Sequence, residues 1–520
     1  MTPANSIFPD PTGRLPLKLP PFINSSTMNR KQFIKLGATG SAFAFIGGYS
    51  GLLSGCMKDE NITSAGDYIP VTEGSFTTPL AFPNVLQSNF ALTPQITTGG
   101  NFRNNTFSVY GYETGSILGP TFEFTKGQVV SIHVQNQLND VSNVHWHGLS
   151  VPSAMDGQPH QLIQPGSFFP YSFTVNERAG LYWYHPHPHG DTARQVIMGL
   201  AGLIIVKDDE ENALSLPSGE RELFLVIQDK RISGNEISYA PSMNDVMTGF
   251  MGESVFVNGI YAPYHEVSTL QYRVRILNAS NARVYDLALS NSKSFTVIGS
   301  DGGLLSSPQT VNSVLLAPGE RLDLLVDFSG QNLNDEIFLI SKIFDGGTAQ
   351  GAQEFRIMKF VVNKIENDSY QVPSALSLMA PLPESLSVTS RNFDISNQGM
   401  DMSGGHMHGS HTINGLSYDE SRIDETVAKN TVEIWTFDNS QGSEPHPMHL
   451  HGVQFQVLDR TGGRNALLPH ETGWKDTVLV MPHEKVRVII PFGNNTGSFV
   501  FHCHNLEHED DGMMLQYEIT

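Results

Sequence analysis

His502-Cys503-His504-Asn505-Leu506-Glu507-His508-Glu509-Asp510-Asp511-Gly512-Met513 is the most informative stretch of this chain. In a strand the side-chain period is two, so His502 and His504 fall on one face. Cys503 is the only thiol outside the N-terminal region, where Cys56 is the other. One thiolate, two imidazoles and a distant thioether are the donor set of a blue-copper electron-transfer site. His508 supplies one imidazole and Met513 the weak axial thioether. The second imidazole is assigned to His446, in His446-Pro447-Met448-His449-Leu450-His451-Gly452. An axial Met holds such a site at a lower potential than a non-coordinating Leu or Phe would. Easily oxidised donors are then favoured: electron-rich phenols, aromatic amines, bilirubin-like pigments, Cu(I) or Fe(II).

Working outward, the chain has 19 histidines in 520 residues. Random placement would give roughly 0.7 His-x-His pairs. Six occur: 145/147, 185/187, 187/189, 406/408, 449/451 and 502/504. Imidazoles clustered in this way suit copper, zinc or iron. A closed zinc site takes four ligands and has no use for ten clustered residues.

The composition agrees with a strand-rich scaffold. Charged residues make up 16%, with 48 Gly and 30 Pro, which points to short strands and many turns. Period-two runs recur at Val129–Val134, Tyr272–Leu277, Leu322–Phe328 and Val486–Pro491, separated by Gly, Pro, Asn and Asp. No long amphipathic helix is expected. The length fits about three β-sandwiches, with breaks near Asp208–Ser218 and Asn363–Ser374. The expected divisions are 1–70 (signal and tether), 71–210, 211–370 and 371–520. The formal charge of −21 argues against nucleic acid, which needs a basic patch.

Residues 28–56 read as an export signal: a basic start, a short apolar run, then Leu53-Ser54-Gly55-Cys56. That ending resembles a bacterial lipobox, which would make Cys56 a lipidated residue. Arg30-Lys31-Gln32-Phe33-Ile34-Lys35 resembles a twin-arginine signal with Lys at the second position, and Met28 is an alternative start. Lys58-Asp59-Glu60 resembles a surface-export tag. The expected location is the periplasm or outer membrane of a Gram-negative bacterium, with membrane contact only through the lipid.

The strings His145-Trp146-His147-Gly148, Tyr184-His185-Pro186-His187, His446-Pro447-Met448-His449-Leu450-His451-Gly452 and His502-Cys503-His504-x3-His508-x4-Met513 resemble, in order, the four copper motifs of multicopper oxidases. The resemblance covers about residues 75–520. It implies an all-β fold of three cupredoxin-like Greek-key β-sandwich domains and four copper ions. Type 1 copper would bind His446, Cys503, His508 and Met513. Type 2 would bind His145 and His449. The type 3 pair would bind His147, His185, His187, His451, His502 and His504. The implied reaction is one-electron oxidation of a small reducing substrate coupled to reduction of O2 to water. By the same resemblance, Asp156 and Glu509 match acidic residues beside the cluster, suited to proton transfer or to orienting ligand imidazoles. A monomer is expected.

Blander readings apply elsewhere. His189 extends a motif and is expected to back the ligands. His133, His160, His265, His470 and His483 read as surface or core residues, and Trp146, Trp183 and Trp474 as packing. Met400-Asp401-Met402-Ser403-Gly404-Gly405-His406-Met407-His408-Gly409-Ser410-His411 is either a flexible loop or a Cu(I) capture segment, since thioethers suit Cu(I). Cuprous oxidases carry a richer insert there, plus an Asp and a Met just before the type 1 His; Asn439-Ser440-Gln441-Gly442-Ser443-Glu444 has no Met. Three functions therefore compete. A laccase-like oxidase of aromatic donors leads, a metal-ion oxidase follows, and a storage or scaffold protein without turnover is the third.

Overall fold

The computed structural model describes residues 70–346, 348–397 and 411–520. Cys56 and the Met/His stretch as far as Ser410 lie outside them. The expected all-β architecture is present. The longest helices among the described residues, Thr192–Ile197 and Met243–Thr248, have six residues each. The period-two runs are strands: Val129–Gln135, Gln271–Asn278, Arg321–Asp327 and Glu484–Pro491. Val129–Gln135 buries Val130, Ile132 and Val134 and turns the alternate residues outward, as a strand with one wet face does. Gln271–Asn278 and Arg321–Asp327 are buried on both faces because they run inside an eleven-stranded sheet.

Four large apolar cores organise the described residues, drawn from residues 90–206, 71–376, 393–519 and 76–279. The first two share backbone. Strands Gln95–Phe102 and Asn105–Gly111 join the eleven-stranded sheet of the middle region, through pairings such as Asn101 with Ile260. The C-terminal core lies between a six-stranded and a five-stranded sheet. Neighbours in the five-stranded sheet are mostly non-consecutive in sequence, the crossing expected of Greek-key connections.

This topology places the His pairs. His446–Leu450 and Gly497–Cys503 are antiparallel neighbours, with His449 opposite His502 and Met448 opposite Cys503. Alternation then sends the two residue sets to opposite faces. Met448 and Cys503 enter the apolar core together with Met513, while the histidines face the N-terminal region. There His145 and His185 pair in the same antiparallel way. A turn between them in sequence needs a glycine. Gly157 has φ +73°, and a Cβ there would lie 2.0 Å from the carbonyl oxygen of Val144. Gly157→Ala should therefore cost about 2 kcal/mol or more, read as a lower midpoint in thermal or denaturant unfolding.

Candidate metal centre

Two groups of donors emerge. In the first, His446 Nδ1 and His508 Nδ1 lie 3.4 and 3.7 Å from Cys503 Sγ and 3.3 Å from each other. Met513 is fully buried in the same core, and its carbonyl accepts from the Cys503 backbone N–H. Burial lowers the His446 pKa to about 3 and takes His508 well below its usual value. The same burial pushes the Cys503 thiol up. These donors suit a soft cation, which would bind the imidazoles through neutral nitrogens and take the thiol in its thiolate form. His508 is held by its outer nitrogen, Nε2, 3.1 Å from the carbonyl of Met247 on helix Met243–Thr248. His411 stacks on the His508 ring, with centroids 3.9 Å apart.

The second group gathers eight imidazoles, four from residues 145–187 and four from residues 449–504. They form three sets close enough to hold an ion: His145, His147 and His449; His147, His185 and His504; His187, His451 and His502. All eight are buried. The hydrogen bonds on their outer nitrogens decide which nitrogen faces inward. The Nδ1 atoms of His145, His185, His449 and His502 donate to the carbonyls of Asp156, Pro186, Asp476 and Cys503, at 2.8–3.0 Å. His451 Nδ1 donates to Asp156 Oδ2 at 2.8 Å. His187 Nδ1 and His502 Nδ1 face the Glu509 carboxylate at 3.4 and 3.1 Å. Their Nε2 lone pairs therefore converge: His145 on His449 at 3.4 Å, His187 on His502 at 3.2 Å and His451 on His502 at 3.1 Å.

His147 is turned the other way. Its Nε2 faces Asp476 Oδ1 at 3.0 Å, which leaves Nδ1 pointing inward to His185 Nε2 at 3.4 Å. Neither ring nitrogen of His504 has a hydrogen-bond partner among the described residues. Burial, then mutual repulsion, takes His147, His185, His187, His449, His451 and His504 well below the usual imidazole range. Neutral lone pairs facing one another at this range repel unless cations sit between them. The residues thus fit a cluster of metal ions.

The residues singled out from the sequence come together here: all ten imidazoles, Cys503, Met513, Asp156 and Glu509. His189 does not. It is exposed, in the turn beyond the end of strand Gly180–Tyr184, and its ring packs 4.8 Å from that of Tyr418. His133, His160 and His483 are also exposed, whereas His470 is buried. Asp476 and His411 were missed as neighbours of the site, whereas Trp183 packs beside it as expected. Trp183 packs 4.2 Å from His185 and 5.0 Å from His147, ring to ring. Asp476, in Trp474-Lys475-Asp476-Thr477, carries no ligand spacing that would announce it. Since Asp476 sets the orientation of His147, Asp476→Asn should lower the metal bound per chain while leaving the Cys503 site filled. Elemental analysis against the blue absorbance of the loaded protein checks this.

Three matches to family models described as Multicopper oxidase cover residues 101–211, 251–356 and 387–520. The chain is 34% identical over 453 residues to a multicopper oxidase, mco, of Staphylococcus haemolyticus, spanning 85% of this chain and 92% of that protein. It is 32% identical over 471 residues to a laccase of Bacillus subtilis, spanning 79% of this chain and 90% of the laccase. Among solved structures, McoA multicopper oxidase of Aquifex aeolicus superposes with a TM-score of 0.76 at 34% identity, over 86% of this chain and 100% of McoA. The chain belongs to the multicopper oxidases, copper enzymes that couple one-electron oxidation of a reducing substrate to the reduction of O2 to water.

Proposed function

We propose that this oxidase is laccase-like and takes a small, electron-rich aromatic donor. The carrying observation is a cleft of about 350 Å³ against helix Leu506–Asp510, which bears His508. Tyr239, Pro241 and Val246 give it apolar walls, and Glu507, Asp510 and Asp511 line its acidic side. That volume lies at the small end of ligand pockets and suits a single ring. The carboxylates favour a donor that carries hydroxyl or amine protons. Glu507 is fixed in place by the N–H of Phe250 at 2.8 Å and by Asn281 at 2.8 Å.

The ligand assignment belongs to the same proposal. His446, Cys503, His508 and Met513 hold type 1 copper. His145 and His449 hold type 2, and His147, His185, His187, His451, His502 and His504 hold the type 3 pair. Bound copper supplies one-electron storage for the four-electron reduction of O2. The protein's part is to keep ten imidazoles buried and oriented, and to exclude water. Asp156 and Glu509 orient His145, His451, His187 and His502 and stand, with Asp476, as the carboxylates beside the cluster, where positioned carboxylates suit proton transfer. The proposal keeps domains at 71–210, 211–370 and 371–520, export through the leader, and a lipid on Cys56 as the only membrane contact.

A metal-ion donor is the second reading. His411, which ends the Met/His segment, stacks directly on His508 and supports a route for Cu(I). O2 uptake with 2,6-dimethoxyphenol and with stabilised Cu(I), in wild type and Val246→Trp, separates the two. Filling the cleft should raise KM for the phenol about tenfold, or ~1.4 kcal/mol, and leave Cu(I) uptake unchanged. Faster Cu(I) uptake with an unaltered phenol KM would overturn the aromatic reading. Separately, Cys503→Ser should lose the blue absorbance and keep the type 3 absorbance; a variant that stays blue refutes the type 1 assignment.

A further inference from the structure

The middle family segment, residues 251–356, supplies no copper ligand, yet one of its loops forms part of the wall of the imidazole cluster. Gly319 has φ +84°. A Cβ at this position would lie 3.1 Å from the His504 ring and 3.2 Å from His147 Cε1. The backbone therefore rests on two rings, one from each half of the cluster. Two residues on, Arg321 is fully buried and uses every N–H of its guanidinium. Nε donates to the Leu181 carbonyl at 3.1 Å, in the N-terminal segment. Nη1 donates to the Gly319 carbonyl at 2.8 Å, and Nη2 to the Asp301 carbonyl at 3.1 Å, both in the middle segment. The remaining two N–H groups grip Asp476 of the C-terminal segment, Nη1 to Oδ1 at 2.7 Å and Nη2 to Oδ2 at 2.5 Å. Asp476 Oδ1 is the atom that faces His147 Nε2 at 3.0 Å.

We propose that Arg321 is a positioning residue for the copper cluster: by clamping Asp476 across three segments, it fixes which nitrogen of His147 faces the metal. The inference rests on the ligand assignment above. The chain of contacts is short and each link is directional. A bidentate guanidinium–carboxylate pair fixes the plane of Asp476. That plane aims Oδ1 at His147 Nε2, which must then carry the proton, so the Nδ1 lone pair points inward. Lys at 321 would keep the charge but not the planar fork. A second ion pair crosses the same boundary beside the first. Lys475 Nζ reaches Asp301 at 2.9 Å and Glu320 at 3.2 Å, and neither contact touches Asp476. It provides an internal control for simple docking of the segments.

The test compares Arg321→Lys, Glu320→Gln, Asp476→Asn and Arg321→Lys/Asp476→Asn as copper-loaded full-length proteins. Copper per chain, the type 2 EPR signal, the near-UV type 3 band and the blue band are measured, with thermal midpoints of the copper-free forms. Arg321→Lys should lose at least half of the type 2 and type 3 signals with the blue band retained. Glu320→Gln should keep all three. The double variant should lose no more than Asp476→Asn alone, because Arg321 acts through Asp476. Full type 2 and type 3 signals in Arg321→Lys would overturn the proposal. So would equal losses in Glu320→Gln at a matched fall in midpoint, or additive losses in the double variant. If Arg321→Lys does not fold, Arg321→Gln is read by the same criteria. A wild type lacking type 2 and type 3 signals would instead refute the ligand assignment.

Discussion

Eight imidazoles crowd one dry space with their inner nitrogens turned toward one another, and the rest of the structure serves that constraint. Left free, such rings would rotate, take up protons or hydrogen-bond to each other. The protein prevents this from behind. Backbone carbonyls of residues 156, 186, 476 and 503 and the carboxylates of Asp156 and Asp476 take the outer N–H of six of the eight rings, and the Glu509 carboxylate faces His187. Carbonyls are well suited to this work, because they cannot donate and so allow only one tautomer. His504 has no such support and is the ring that most needs a metal to complete its contacts.

The two donor groups are joined by strand alternation. Cys503 points into the apolar core, while His502 and His504 on either side of it point into the cluster. One tripeptide thus touches both sites, and their separation is set by a single pleat. The same geometry explains why the sites differ in character. The thiolate site lies inside one β-sandwich, among Met448, Phe501 and Met513. The imidazole cluster lies where segments meet, and its walls come from residues remote in sequence.

Spacing made the ligands legible. His-x-His recurs far more often than chance allows, and the only thiol among the described residues is flanked by imidazoles. The period-two runs likewise disclosed strands wherever one face is wet. Residues that act from behind the ligands left no comparable trace. Arg321 is an ordinary member of a buried strand and Asp476 sits in the bend between the short strands Trp474–Lys475 and Thr477–Val480, and their partners lie 155 and 329 residues away. Gly319 looks like any turn glycine until its neighbours are known. His189 repeats the His-x-His spacing in the turn beyond strand Gly180–Tyr184, where its ring is exposed. The sharing of one sheet between the N-terminal and middle regions also follows from pairings such as Asn101 with Ile260, which no local pattern encodes.

The division of the cluster between the two ends of the chain affects the order of events as well as the final shape. His145 meets His449 across 304 residues and His187 meets His502 across 315. Closing loops of that length costs little more free energy than closing shorter ones, about 0.6 kcal/mol for each doubling. In time the cost is larger, because contacts so distant in sequence form late. The first two His pairs are synthesised long before their partners exist. A metal ion captured then would meet half a site with the wrong number of donors, so correct loading must wait until the last strands have been made and docked.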